Sequence, residues 1–157
     1  MIESFYQTLT AAGYPHPFHP VVTHIIIGMV VGAFIFGILG WILQKNNLSQ
    51  SAHHCAGLAL IGVIPTAAAG YMDWQHFYGG QWMTPIRWKL ILAALLTVFL
   101  LIAWLSGRKK EKVSFSQLIV YALCLGVVLG LGYFGGELVS GKKKPAVENS
   151  TDMENLT

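Results

Sequence analysis

Polar residues punctuate this chain instead of alternating with apolar ones. Four long apolar runs stand out, at about Pro20 to Leu43, His53 to Met72, Pro85 to Leu105 and Ser116 to Val139. Each matches the roughly 20 residues that a helix needs to cross a hydrocarbon layer. The stretches between them read QKNNLSQSA, DWQHFYGGQWMT and SGRKKEKVS, and no internal repeat is visible. The closing SGKKKPAVENSTDMENLT is polar and proline-interrupted, and is expected to be flexible. The pattern predicts an all-α integral membrane protein, a four-transmembrane-helix bundle over residues 20–139. An interfacial segment over 1–19 precedes it and a polar tail over 140–157 follows.

Periodicity alone does not separate four spans from four buried core helices; the aromatic residues do. Trp74, Trp82 and Trp88 fall where the second run ends and the third begins, with Tyr14, Tyr71 and Tyr78 at similar depth. Trp41 and Trp104 mark the other ends of the first and third runs. Rings gathered at both ends of apolar runs are the mark of the two membrane–water interfaces.

Composition narrows the function. Hydrophobic residues make up 54% of the 157 and charged ones 11%, with a mean hydropathy of +0.56. A soluble domain carries about 25% charge, so a soluble enzyme and a nucleic-acid binder are excluded. Two cysteines, Cys55 and Cys124, both in apolar runs, do not make a disulfide framework. No basic segment precedes the first run, which is too long for a signal-peptide core, so it is expected to be retained. Lys and Arg divide five and five between the two sides. Lys45 directly after the first span, with no Lys or Arg before it, favours an outside N-terminus.

Four spans bring the start of the first, the end of the second, the start of the third and the end of the fourth to one side. That side collects His16, His19 and His24, then Asp73, Trp74 and His76, then Arg87, Trp88 and Lys89, then Tyr133 and Glu137. His53 and His54 fall a bilayer thickness away. In HPVVTH, residues 19–24, Pro20 suits a first helical turn and His24 lies about one turn into the membrane, where an ionisable group faces protein. Four-residue steps from His24 reach Gly28 and Gly32, a stripe that leaves a shallow channel beneath the imidazole. Gly126/Gly130 and Gly132/Gly136 are spaced likewise. Two readings stand open for such stripes: close helix packing, or room for a flat ligand such as a porphyrin or a quinone ring.

The same choice applies to the histidines, which either bond a neighbouring helix or serve as ligands or proton relays. Haem b held by two imidazoles needs rings on opposite faces of the macrocycle. His24 with His76 is the pair the sequence offers as metal ligands, with His19 as a substitute. Arg87 is placed to hold a carboxylate such as a propionate. Met72 and His76 share a helix face if the helix continues through Trp74, a pair suited to copper(I) or merely interfacial. Asp73 and Glu137 are also placed to pair with Arg87 and Lys89. The chain has no Walker loop, CxxC, HExxH or GxSxG.

HPVVTHIIIG at 19–28, GYMDW at 70–74 and GYFGGELV at 132–139 together resemble a bacterial domain-of-unknown-function family of small four-helix membrane proteins. Its pattern is HP-x-x-V-H-F-P-I-G in the first helix and GG-x-L-V-Y at the close of the last. His19 and His24 match the first motif; Gly135, Gly136, Leu138 and Val139 match the second. Ile25-Ile26 stands where the family has F-P, Arg87-Trp88-Lys89 where a third-helix histidine is common, and Ser140-Gly141-Lys142 where an aromatic residue and a further histidine follow. If those histidines hold haem in relatives, this chain holds fewer haems or none.

Members of that family occur with Rieske, rubredoxin-like or cytochrome components, so the resemblance implies electron transfer in a bacterial cytoplasmic membrane. The expectation is an electron-transfer subunit that binds haem b or a quinone at the His19/His24/His76 side, beside Gly28, Gly32 and Arg87. Its partners would be the bilayer and other redox or membrane subunits, with homo-oligomers open. A non-catalytic anchor or assembly subunit is the alternative, and a small-solute or metal transporter a third reading.

Overall fold

A computed structural model describes residues 2–108 and 112–140, the last four by their backbone alone. The tail from Gly141, with its Asn149-Ser150-Thr151 triplet, lies outside the described residues, as does the side chain of Glu137. Five helices follow in order: α1 (Ile2–Ala11), α2 (His19–Leu43), α3 (Asn46–Tyr78), α4 (Thr84–Gly107) and α5 (Phe115–Ser140). The four long ones are apolar enough to cross a membrane. Among the described residues no strand occurs.

Helices α2 and α3 form one hairpin and α4 and α5 the other; α2 packs on α5, and α3 on α4. Small residues set the spacing within the first hairpin. A Cβ on Gly40 would lie 2.9 Å from the backbone nitrogen of Ser49, so only glycine allows α2 and α3 to meet there. Ala52, Ala56 and Ala59 continue that contact along α3, all fully buried. Val30, Leu100, Tyr121 and Cys124 fill the centre. Outward, Ile64 and Leu129 in the middle of their helices are 74% and 68% exposed. A bundle whose waist is apolar on the outside is built for lipid.

One boundary differs from the sequence expectation. α3 has 33 residues, not the 20 of its apolar core, and takes in NNLSQSA before it and DWQHFY after it. At 1.5 Å per residue it is about 50 Å long, well beyond a ~30 Å hydrocarbon core. It stops at Gly79 and Gly80, whose φ of +57° and +68° are left-handed, with the Gly80 N–H bonded to the Trp74 carbonyl at 3.2 Å. α1 lies within the segment 1–19. Ile2, Phe5, Tyr6 and Leu9 recur at helical spacing and give it one apolar side, which packs on α3.

Candidate functional site

The start of α2 shows how the site is assembled. A helix begins with N–H groups that have no partner inside it, and Phe18, its cap residue, contributes no side-chain bond. Asp73 of α3 does so from outside the helix. Its Oδ1 accepts the Phe18 N–H at 3.0 Å and its Oδ2 the His19 N–H at 2.8 Å. Pro20 has no N–H to satisfy, and that of Val21 reaches the Phe18 carbonyl at 3.1 Å. The first turn is thus fully bonded, with a carboxylate at the positive end of the helix dipole.

Asp73 is 5% exposed and has a third donor, the hydroxyl of Tyr6. Burial, and then the bond to and the charge of Asp73, push the Tyr6 hydroxyl well above the ordinary tyrosine range. α1 is therefore fastened to the joint between α2 and α3.

His19 lies against α3 where Gly70 leaves room. A Cβ there would be 3.0 Å from Nδ1 of the ring. Nδ1 donates to the Thr66 carbonyl at 3.0 Å, an assignment that leaves Nε2 unprotonated. His24 repeats the arrangement one turn on, its Nδ1 donating to the Pro20 carbonyl at 2.5 Å. Both imidazoles keep an acceptor nitrogen.

Both also line a cavity of about 590 Å³ between the two hairpins. Its polar groups are Thr23, His19 and His24 on α2, Thr66, Asp73 and Tyr78 on α3, and Lys89 on α4. The remainder is mostly apolar, with Ile26, Leu96, Val128 and Leu131 at its deeper end. Lys89 is half-buried, and among the described residues it has no salt-bridge partner. This is the size and character of a small-molecule site: a largely apolar space with a few converging polar groups.

Several expected members stand elsewhere. His76 does not line the cavity. It stacks on the Tyr6 ring at 4.2 Å, and its Nδ1 lies 3.0 Å from Glu3 Oε2, in a surface recess against α1. The helix does continue through Trp74, but it turns residue 73 towards α2 and residue 76 towards α1. His24 and His76 therefore share no space as a ligand pair. Arg87 is exposed and outside the lining. Two residues on, a rotation of about 200° brings Lys89 to the cavity instead.

The channel expected beneath His24 is also displaced. A Cβ on Gly32 would be 3.3 Å from Cys55 Sγ, so an α3 side chain fills that groove. Gly28 is exposed, outside the lining, and faces open space. The glycines that do border the cavity are Gly70 on α3 and Gly132, Gly135 and Gly136 on α5. A Cβ on Gly130 would instead lie 3.4 Å from the Leu92 side chain of α4. His16 stands apart, its ring edge-on to Tyr14 at 5.6 Å.

Among the described residues no group of three or more His, Cys, Asp or Glu side chains is placed to hold a metal ion. Nor do they supply two imidazoles on opposite walls, as haem held by two histidines requires. His19 and His24 both belong to α2, and the α4 wall facing them carries Lys89 and Leu90. Sequence reading underrated Asp73, Gly70 and Lys89. The available signal was the spacing of Gly70 and Asp73 within GYMDW, three residues apart and so on one helix face.

One curated relative is a UPF0756 membrane protein of Haemophilus ducreyi (strain 35000HP / ATCC 700724), 35% identical over 51 residues. That match covers 32% of this chain and 33% of the relative, so the chain spans about a third of it. No solved structure matches. The model of a family described as predicted membrane protein (DUF2231) matches residues 15–144, from the loop before α2 to beyond the end of α5. The chain therefore belongs to the DUF2231 family of predicted membrane proteins, with four apolar helices long enough to cross the bilayer.

Proposed function

We propose that this protein is an electron-transfer subunit of a bacterial cytoplasmic membrane, N-terminus outside, whose cavity binds the head group of a quinone. One observation carries the reading. A donor and two acceptors line one largely apolar cavity: Lys89 on α4, and His19 and His24 on α2, whose Nδ1 atoms are taken up by carbonyls and whose Nε2 atoms are left as acceptors. A quinone ring is flat and apolar and presents carbonyl oxygens, which accept from an ammonium. The quinol presents hydroxyl groups, which donate to a neutral imidazole nitrogen. Two electrons and two protons separate the two forms. The electrons pass to or from a partner redox subunit, and His19 and His24 hold the protons at Nε2.

The test uses the purified full chain in detergent. Quinone binding is followed by quenching of tryptophan fluorescence, since Trp74 lines the cavity. Saturable quenching is expected, and Lys89→Met should weaken it by about tenfold or more, the worth of one bond to a charged group. Absence of saturable quenching ends the quinone reading. A Soret band and a sharpened α-band on dithionite reduction would restore haem. A spectroscopically silent chain that binds no quinone, and whose complex tolerates His24→Ala, is an anchor subunit.

A further inference from the structure

We infer that the cavity is loaded sideways from the lipid, through an opening between α2 and α5, and that its ligand therefore carries a long apolar tail. The inference rests on the quinone reading and names the class: a lipid-dissolved quinone, not a water-soluble one.

Residues that border a cavity and are also exposed mark its rim. On α2 these are Pro20 and His24; on α5 they are Gly132 and Gly136. Among the described residues no atom lies within 4 Å of a Cβ built on Gly132, Gly135 or Gly136, so these glycines leave their stretch of α5 open. The same criterion marks Ala67 on α3 and Leu90 on α4 at the opposite edge, where the side chains of Tyr78, Ile86 and Leu90 stand in place of glycine.

Depth identifies what the opening faces. His24 and Gly132 both lie within helices that read as spans, and exposed Ile25 and Leu129 are near them in those helices. Those neighbours belong in hydrocarbon, so the gap opens to lipid tails and not to water. A ring seated between Lys89 and the two imidazoles would leave its substituent pointing out between His24 and Gly132. A flexible apolar chain fits that seam; a charged substituent does not.

The experiment titrates the full chain in detergent with two probes, a tail-free dimethoxy-methyl-benzoquinone and the same ring carrying a decyl chain. The readout is the ratio of their affinities, in the wild type and in Gly132→Leu and Gly136→Leu. Each new side chain projects into open space, and two separate positions guard against one variant failing to fold. Either leucine is expected to lower the ratio by about tenfold. A ratio unchanged in the folded variants overturns lateral loading while leaving the quinone reading intact. If neither probe quenches the wild type, the quinone reading fails first and this inference fails with it.

Discussion

Asp73 caps a helix to which it does not belong: its carboxylate accepts the backbone N–H of His19 at 2.8 Å and that of Phe18 at 3.0 Å. The joint holds the entry angle of α2, and with it the place of both imidazoles. Asp73→Asn keeps the shape but turns an amide N–H₂ towards one of those donors and removes the charge. Hydrogen bonds to charged groups contribute about 1.5–3 kcal/mol each, so Asp73→Asn and Asp73→Ala should each cost about 3 kcal/mol or more. Thermal unfolding of purified protein in one detergent measures this. A melting temperature unchanged in both variants would remove Asp73 from the joint.

Tyr6 makes the same joint sensitive to alkali. Its hydroxyl is held above the ordinary value of 10.0 by burial and by Asp73, so the native chain keeps this proton where the unfolded chain has lost it. Stability then falls as pH rises through 10, because native protein binds more protons than unfolded. Tyr6→Phe should lower stability at neutral pH by about 1.5–3 kcal/mol. It should also flatten the alkaline decline by up to about 1.4 kcal/mol per pH unit. The remaining tyrosines are common to both proteins, so the difference between their curves isolates Tyr6. Parallel curves from pH 8 to pH 11 would show that the bond contributes nothing.

Much of this architecture is legible in the residues, for a physical reason. Long apolar runs and interfacial aromatic rings are local signals, and they place four helices and the end at which His19, His24 and Asp73 gather. Orientation around a helix is not local. Arg87 and Lys89 are equivalent as charges, and only the packing of α4 on α3 and α5 decides that Lys89 enters the cavity. His76 and Asp73 are close in sequence, yet α1 takes His76 for itself through Tyr6 and Glu3, and the helical spacing of its apolar residues does not say which helix it docks on. The glycine stripe below His24 reads as a channel until the Cys55 side chain of α3 is laid into it at Gly32.

Glycines on the two sides of His19 should answer differently to one added methyl group. At Gly70 a Cβ would press on the imidazole, 3.0 Å from Nδ1 and 3.2 Å from Cε1. The ring must then leave the Thr66 carbonyl, or α2 must move. Gly70→Ala should cost about 1–3 kcal/mol, as overpacking does, and weaken quinone binding with it. Gly28→Ala meets open space and should leave the melting temperature unchanged or slightly raised, since alanine favours a helix more than glycine does. Equal effects of the two substitutions would show that Gly70 is not the seat of His19.

The other end of the bundle supplies a last contrast. Ser49 is buried where α2 and α3 touch at Gly40, and its Oγ accepts the buried N–H of Val113 at 3.1 Å, tying the α4–α5 link to the first hairpin. Ser49→Ala leaves that N–H without a partner and should cost about 1–3 kcal/mol. Yet the site lies at the far ends of the same helices, and effects at separated positions sharing no partner are nearly independent. Ser49→Ala should therefore lower the melting temperature while leaving quinone affinity within about twofold of wild type, the reverse of the result expected for Lys89→Met. If affinity falls in step with stability in Ser49→Ala, quinone binding reads the integrity of the whole bundle and the donor–acceptor cleft at the His19 end is not its seat.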